Sequence, residues 1–324
     1  MNQSAKTLFI ICLLRVLSSS LRGQTEQLLV PSDLKQQTIV TEPVTLRKGF
    51  LRMGLLVNYR IADRFFDNSG DKQYYRNSTW SSKSAYGITL QYGITDRLQA
   101  DLISEYMNSL EETQNTEVVA GTTVVTVDKH RGIGLGDSHL ALKYQIIPEK
   151  ERRFSFSGKM KMTFPTGAKN PRNIRSENQY DLPVGDGTFA LGLNLSARII
   201  VYPYSFSGYS AYTYNFKGTK VIRPTDTAES EFKIGNLFET GVAGNLHLNE
   251  WIVLGNEINY YNEGQGVIEY ITPEPIPSSW ALSYEPGLVF QVHRFRLGES
   301  VKIPVFGKNV PADPLFVIMA QYIF

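Results

Sequence analysis

The chain carries repeated segments in which apolar and polar residues alternate, and the clearest of them runs from Phe154 to Phe164. One face of this segment is apolar and the other polar: Phe154, Phe156, Met160, Met162 and Phe164 stand against Ser155, Ser157, Lys159, Lys161 and Thr163. Because successive side chains of a strand point to opposite faces, this pattern predicts a strand with one apolar and one polar side.

The same alternation recurs and predicts about twelve strands of about ten residues each. They are residues 51–61, 86–92, 98–106, 140–146, 154–164, 189–199, 206–216, 232–248, 252–260, 280–292, 297–306 and 316–324. Their polar faces carry charged residues of both signs: Arg52, Arg60, Asp101, Glu105, Lys143, Lys159, Lys161, Arg198, Glu239, Glu257 and Glu285.

The connections between these segments alternate between short and long. Short links fall at 95–97, 147–153, 200–205, 249–251 and 293–296, and long ones at 62–83, 108–134, 165–188, 217–231 and 264–279. A ten-residue strand tilted by about 40° covers roughly the 25 Å apolar band of an outer membrane. The pattern predicts an all-β fold, a transmembrane antiparallel up-and-down barrel of about twelve strands. The rival interpretation is a soluble sandwich of two sheets, which has no reason to sort its loop lengths by parity.

The N-terminus has the order of a secretory signal peptide. Lys6 precedes an apolar stretch, Thr7 to Leu17, and three serines follow it. That stretch is about half the roughly 20 residues that a spanning helix needs. We expect a signal peptide at 1–23, a periplasmic lead or plug at 24–48 and the barrel at 49–324. The single cysteine, Cys12, lies in the signal peptide, so the mature chain would have no disulfide.

The last predicted strand carries apolar or aromatic residues at every second position, ending in an aromatic one: Phe316, Ile318, Ala320, Tyr322 and Phe324. This resembles the C-terminal signal that the barrel-assembly machinery recognises in outer-membrane proteins. The alternative is a chance edge strand of an ordinary β-protein.

Three glycine-containing motifs carry a family resemblance. Gly132 to Ile146 reads GIGLGDSHLALKYQI, Phe164 to Gly167 reads FPTG, and Leu182 to Ser196 reads LPVGDGTFALGLNLS; Gly93 to Leu98, GITDRL, resembles the usual tight turn. Together they resemble the outer-membrane family named for the MetA pathway of phenol degradation. The resemblance implies a transporter of small molecules, aromatic ones included, in the outer membrane of a Gram-negative bacterium, and it brings no defined binding residues.

Composition and local motifs argue against several other classes of function. The net charge of +2, from 33 basic and 31 acidic residues, gives no basic patch for nucleic acid. The four histidines lack metal-ligand spacing, and no helical period follows the glycines at 132–136, so we expect neither a metal nor a nucleotide cofactor. Ser138 and His139 are strand neighbours that point to opposite faces, so they do not form a catalytic pair.

The remaining chemistry is the polar interior. Eight strands already fill a barrel with side chains and about sixteen leave a wide pore, so twelve strands predict a narrow or partly plugged passage. We expect a passive channel for small solutes, embedded in outer-membrane lipid, and no enzyme. The interior charges are the candidate solute contacts, although they could equally pair with each other and fill the barrel. Two alternatives are a non-transporting barrel whose long loops bind a partner and, less favoured, a lipid-modifying enzyme.

Overall fold

The computed structural model describes residues 43–75, 80–119, 122–149, 153–167, 184–220, 229–269 and 273–324. The predicted signal peptide at 1–23, and residues 24–42 of the predicted lead, lie outside the described residues. The described residues form nineteen strands: β1 Leu51–Ala62, β2 Arg64–Phe66, β3 Lys72–Tyr74, β4 Trp80–Thr95, β5 Leu98–Val119, β6 Thr122–Ile147, β7 Phe154–Phe164, β8 Ala190–Val201, β9 Tyr204–Asn215, β10 Gly218–Lys220, β11 Ser230–Lys233, β12 Leu237–His247, β13 Ile252–Glu263, β14 Gly266–Glu269, β15 Glu274–Ile276, β16 Ser279–Val292, β17 Phe295–Lys308, β18 Val310–Pro311 and β19 Leu315–Ile323.

Twelve of these strands close into one barrel. Their order around the barrel is β1, β19, β17, β16, β13, β12, β9, β8, β7, β6, β5 and β4, and every neighbouring pair is antiparallel. Closure joins the first and last strands, with Arg52 opposite Ile323 and Tyr59 opposite Phe316. The predicted all-β barrel of about twelve strands is confirmed.

The side chains follow the predicted alternation between the outer and inner surfaces of the barrel. Leu55, Ile88 and Leu193 are exposed on the outside, whereas Ser155 and Ser157 are buried inside. An apolar exterior needs a lipid environment, because large contiguous apolar surfaces are rare on soluble proteins. The exterior therefore has the character of a surface that faces a bilayer. Within the described ranges, no helix has the length and apolarity needed to cross a membrane.

The link predicted as a long loop at 108–134 is strand instead. β5 continues to Val119 and β6 starts at Thr122, and their pairing runs unbroken from Tyr106 opposite Leu135 to Val119 opposite Thr122. This stretch is rich in valine and threonine, whose β-branched side chains favour strands. The prediction of a loop was wrong because a strand outside the apolar band needs no apolar face, so missing alternation does not indicate a loop there.

Two small sheets lie at the long-link end of the barrel. One has the order β10, β11, β14, β15 and the other β18, β2, β3. Asp313 fastens the second: its carboxylate accepts hydrogen bonds from the backbone N of Asp63 at 3.0 Å and of Arg64 at 2.9 Å, and from Arg64 Nε at 2.8 Å. Burial acts to raise the pKa of Asp313, but the hydrogen bonds and charge of Arg64 outweigh it, so the pKa lies below its usual value. We call this the Asp313 latch.

Candidate functional site: the barrel interior

All the charged residues predicted on the polar faces lie on the inner side of the barrel wall. The buried ones are Arg52, Asp101, Lys143, Arg198, Glu257 and Glu285, and the half-buried ones are Arg60, Glu105, Lys159, Lys161 and Glu239. Their alternation with lipid-facing residues puts them there. The structure describes their surroundings, and contact with a solute stays a prediction.

Basic residues concentrate on the neighbouring strands β6 and β7. Lys143 stands directly opposite Lys159, and Lys161 lies two residues further along β7. Lys159 interacts electrostatically with Asp101 and with Glu239, which lies on β12 at a distance of three strands around the barrel. Lys159 thus interacts with negative charge both nearby on β5 and across the interior on β12.

Arg198 differs from these lysines because its charge is already matched. Its guanidinium donates to Glu149 Oε2 from Nε at 2.9 Å and from Nη2 at 2.5 Å. Arg198 is only 1% exposed, and Glu149 belongs to the short link between β6 and β7. A buried, hydrogen-bonded ion pair of this kind favours a role in holding the short-link end together over contact with a solute.

Residues 43–46 lie inside the short-link end of the barrel, bound by side chains of β5 and β6, and Arg47 and Lys48 continue from there towards β1. Lys143 Nζ donates to Val44 O at 2.6 Å, Leu46 N donates to Gln99 Oε1 at 2.7 Å, and Thr45 Oγ1 donates to Gln145 Oε1 at 3.0 Å. All four residues from 43 to 46 are buried. We call residues 43–48 the inner segment.

Two glycines allow the inner segment to join the wall. Gly49, at φ 83°, turns the chain into β1, and a left-handed residue of this kind is most readily glycine. Gly93 faces the segment, and a Cβ built on it would lie 1.9 Å from Arg47 O. No side chain fits at position 93 while the segment is in place. The glycine of the predicted GITDRL turn is therefore a contact surface as well as part of a turn.

The GLGD portion of the first glycine motif forms a β-bulge in β6. Ser104 pairs with Ser138 and Tyr106 with Leu135, so two residues of β6, Gly136 and Asp137, share the place of one on β5. Bulges re-aim side chains. Here Asp137 is buried on the inner side, next to its buried neighbour Gly136.

The re-aimed carboxylate binds the two other glycine motifs. Asp137 Oδ1 accepts a hydrogen bond from Gly167 N at 2.9 Å, and Oδ2 accepts one from Asp186 N at 2.7 Å. A Cβ on Gly167 would lie 2.6 Å from Gly185 Cα, and one on Gly185 would lie 2.7 Å from Asp137 Oδ1. The three motifs that are far apart in sequence are thus parts of one clamp, which we call the Asp137 clamp.

Ser138 and His139 diverge, as predicted for neighbours on a strand. His139 Nδ1 contacts Thr163 Oγ1 at 2.9 Å on the inside, whereas Ser138 Oγ accepts a hydrogen bond from Thr166 Oγ1 at 3.0 Å. Among the residues for which the structure gives a placement, no group of three or more His, Cys, Asp or Glu side chains is arranged to hold a metal.

Several interior residues were not anticipated from the sequence. Gln99 and Gln145 are inward positions of the predicted strands, but nothing in one strand indicates that they hold the inner segment. Asp137 was considered only within a glycine motif. Tyr209 is also an inward residue of β9, and its even spacing from the buried Ser205 is the signal that indicates it.

Comparison with solved structures supports the fold. The COG4313 outer membrane channel from Pseudomonas putida F1 superimposes with a TM-score of 0.66, at 12% identity, over 89% of this chain and 100% of that chain. The β domain of the Bordetella autotransporter Brka gives 0.47 at 8% identity over 85% and 99%, and a Pseudomonas aeruginosa FadL homologue gives 0.42 at 9% identity over 86% and 90%.

No family model matches the chain, and no curated protein matches it significantly. The COG4313 similarity at 12% identity concerns the fold alone. Together with the apolar exterior, it makes this chain an outer-membrane β-barrel. The predicted fold class and location are confirmed at that level, and the resemblance to the family named for phenol degradation stays a prediction.

Proposed function

We propose that the barrel is a passive channel for small solutes across the outer membrane of a Gram-negative bacterium. The observation that carries this proposal is a closed twelve-stranded barrel whose interior is lined by charges of both signs. Charges inside a barrel are costly unless water or a polar solute reaches them. Lys161 and Glu239, which are only partly buried, are the interior charges best suited to meet a solute.

We also propose that 24–48 acts as a plug that controls this passage. The contacts of the inner segment with Lys143, Gln99 and Gln145 support this function over that of a free periplasmic lead. Only a few hydrogen bonds hold the inner segment, and several of them join neutral groups. The segment can therefore be released and bound again reversibly. A plugged barrel with releasable contacts suits gated passage better than steady diffusion.

The cargo follows from the resemblance carried by the glycine motifs, which implies small molecules, aromatic ones included. The solved structure with the same fold is itself described as an outer membrane channel. We therefore propose small aromatic acids as the first solutes to test. The lysines of β6 and β7 provide the positive charge that would attract a carboxylate.

The test is solute flux into liposomes that contain the refolded full chain, with empty liposomes as reference. We expect flux of benzoate, and we expect Lys159→Gln with Lys161→Gln to lower it relative to a neutral solute of similar size. Lys129→Gln is the matched control, since Lys129 is 62% exposed and pairs with Glu112 on the β5–β6 hairpin. Flux equal to that of empty liposomes over a broad panel of solutes, aromatic acids included, would contradict the proposal.

The length of the β5–β6 hairpin favours a second candidate, a barrel that binds a partner or a surface with its outer elements. The paired strands continue well past the length that spans an apolar band. Shortening this hairpin would then abolish binding to whole cells or their surface polymers and leave permeability unchanged. Loss of permeability without loss of such binding would count against this candidate.

We further propose that β19 carries the signal for the barrel-assembly machinery. Phe316 and Ile318 are exposed on the lipid side, and the rings of Tyr322 and Phe324 pack edge to face with centroids 4.8 Å apart. An outward row of aromatic and apolar side chains on one strand is accessible to such machinery before the barrel closes.

A further inference from the structure

The acidic side of the interior contains two carboxylates that face each other across neighbouring strands. Glu257 on β13 is the direct register partner of Glu285 on β16. They are 7% and 6% exposed. Like charges placed opposite each other destabilise a sheet, and burial increases that effect. Such a pair is relieved either by a proton on one of the carboxyl groups or by a cation beside them.

The hydrogen bonds within this pair are unequal. Glu285 accepts from Ser300 Oγ at 2.6 Å and from Asn259 Nδ2 at 3.4 Å, so both of its oxygens have donors. Glu257 interacts with the Tyr209 hydroxyl and with the Asn259 side chain, but its Oε1 is buried and has no hydrogen-bond partner among the described residues. Buried carboxylate oxygens are almost always hydrogen-bonded, so an unfilled acceptor here indicates a position for an external donor.

The neighbouring strand is shaped to bring an aromatic ring to this position. Tyr209 on β9 is the register partner of Gly241 on β12. Strand β12 lies between β9 and β13, the strand that carries Glu257. A Cβ on Gly241 would lie 2.6 Å from Tyr209 Cε1, so the ring lies across the bare backbone of β12. The next inward residue of β12 is Ala243, opposite Glu257, which is also small. Small residues on β12 thus let a phenol ring reach across to Glu257.

We propose that Glu257, Glu285 and Tyr209 form a binding site for the protonated amino group of a small organic cation. This inference rests on the proposed channel, because the cation enters through the lumen, and it adds a second solute class to it. An ammonium group supplies N–H donors for Glu257 Oε1 and is attracted to an aromatic face. A divalent ion fits less well, since it requires six or more oxygen ligands and the oxygens of Glu285 already have donors.

Lys302 on β17 is a positively charged residue that interacts electrostatically with Glu257. Its charge reduces the repulsion between the two carboxylates, yet Glu257 Oε1 stays without a donor in the described structure. Lys302 therefore competes electrostatically with a bound ammonium group. Replacement by Met is expected to strengthen the binding of an organic cation.

The test is equilibrium binding of n-butylammonium to the refolded full chain in detergent, followed by ligand-observed NMR, with butyrate and n-butanol as size-matched probes. We expect binding of butylammonium alone. Glu257→Gln should weaken it by about tenfold or more, because a charge-assisted bond is replaced by a neutral one. Gly241→Ala, which displaces the Tyr209 ring, should weaken it too. Glu299→Gln is the control, because Glu299 is exposed on the outer face of β17.

Three results would overturn the site: equal butylammonium affinity of Glu257→Gln and the unaltered chain, butyrate binding as tightly as butylammonium, or full displacement of butylammonium by equimolar Ca²⁺. Liposome flux of a neutral solute separates this inference from the channel itself. Flux without butylammonium binding removes the ammonium site and leaves the channel. Butylammonium binding that depends on Glu257, without any flux, removes the channel and leaves the site.

Discussion

Release of the inner segment is the event on which gating would depend, and Lys143→Met is the substitution that isolates its strongest contact. The Lys143 ammonium donates to Val44 O at 2.6 Å inside the barrel. A hydrogen bond with one charged partner contributes about 1.5–3 kcal/mol net. Since each 1.36 kcal/mol is a factor of ten, its loss should raise the ratio of released to bound segment roughly 13- to 160-fold.

The neutral contacts set an internal scale for this expectation. Leu46 N donates to Gln99 Oε1 at 2.7 Å, and a neutral bond contributes about 0.5–1.5 kcal/mol. Gln99→Ala should therefore shift the same ratio only about 2- to 13-fold. Gly93→Ala acts by a different route, because its Cβ would lie 1.9 Å from Arg47 O and the segment has to move.

The assay is single-channel recording of the refolded chains in planar bilayers. The expected order of open probability is Gly93→Ala and Lys143→Met highest, then Gln99→Ala, then the unaltered chain. Lys129→Met controls for loss of a lysine on the exterior, and Gly158→Ala controls for a glycine of the wall whose Cβ would have ordinary contacts, the nearest at 3.6 Å. Open probabilities of Lys143→Met and Gly93→Ala equal to that of the unaltered chain would refute the plug.

Three further predictions concern the clamp, the latch and the last strand. Asp137→Ala removes the acceptors of two backbone amides, about 1.5–3 kcal/mol each, and should speed hydrogen exchange at both Gly167 and Asp186, whereas Asp137→Asn keeps one acceptor oxygen and should leave one of the two amides protected; unchanged exchange at both amides in Asp137→Ala would contradict the clamp. Because the pKa of Asp313 is lowered, the stabilisation of residues 63–75 by its carboxylate should hold at neutral pH and decline only as the pH falls below about 4. The loss should be seen as protease cleavage within 63–75. Asp313→Asn should show the same cleavage already at pH 7. Cleavage independent of pH and of this substitution would rule the latch out. Phe324→Ala should reduce barrel assembly in cells but leave refolding in detergent nearly unchanged, and equal losses in both would assign Phe324 to stability alone.

The parts of this fold that could be predicted are those governed by local alternation. A strand in a membrane barrel has one lipid side and one inner side along its whole length, so Lys159 and Lys161 had to point inward whatever the neighbouring strands were. The alternation of short and long links then indicated an even number of strands, which allows the barrel to close. The extension of the β5–β6 hairpin was not predicted, because outside the membrane both faces of a strand contact water. Apolar and polar residues therefore need not alternate there.

The interior could not be predicted in the same way, because its contacts join strands that are distant in sequence. Gln145 and Thr45 are 100 residues apart, and Asp137 meets Asp186 across 49 residues. A pattern within one strand indicates that a side chain points inward, yet whether it binds a solute, a plug or another wall residue depends on which strands closure brings together. Arg198 and Lys161 illustrate the difference: both are inward cations of the same pattern, and only the partner supplied by another link, Glu149, makes Arg198 structural. In this fold, the alternation along each strand identifies the residues that point into the lumen. The arrangement of charges around the closed barrel then decides which of those residues have no wall partner and can contact a solute.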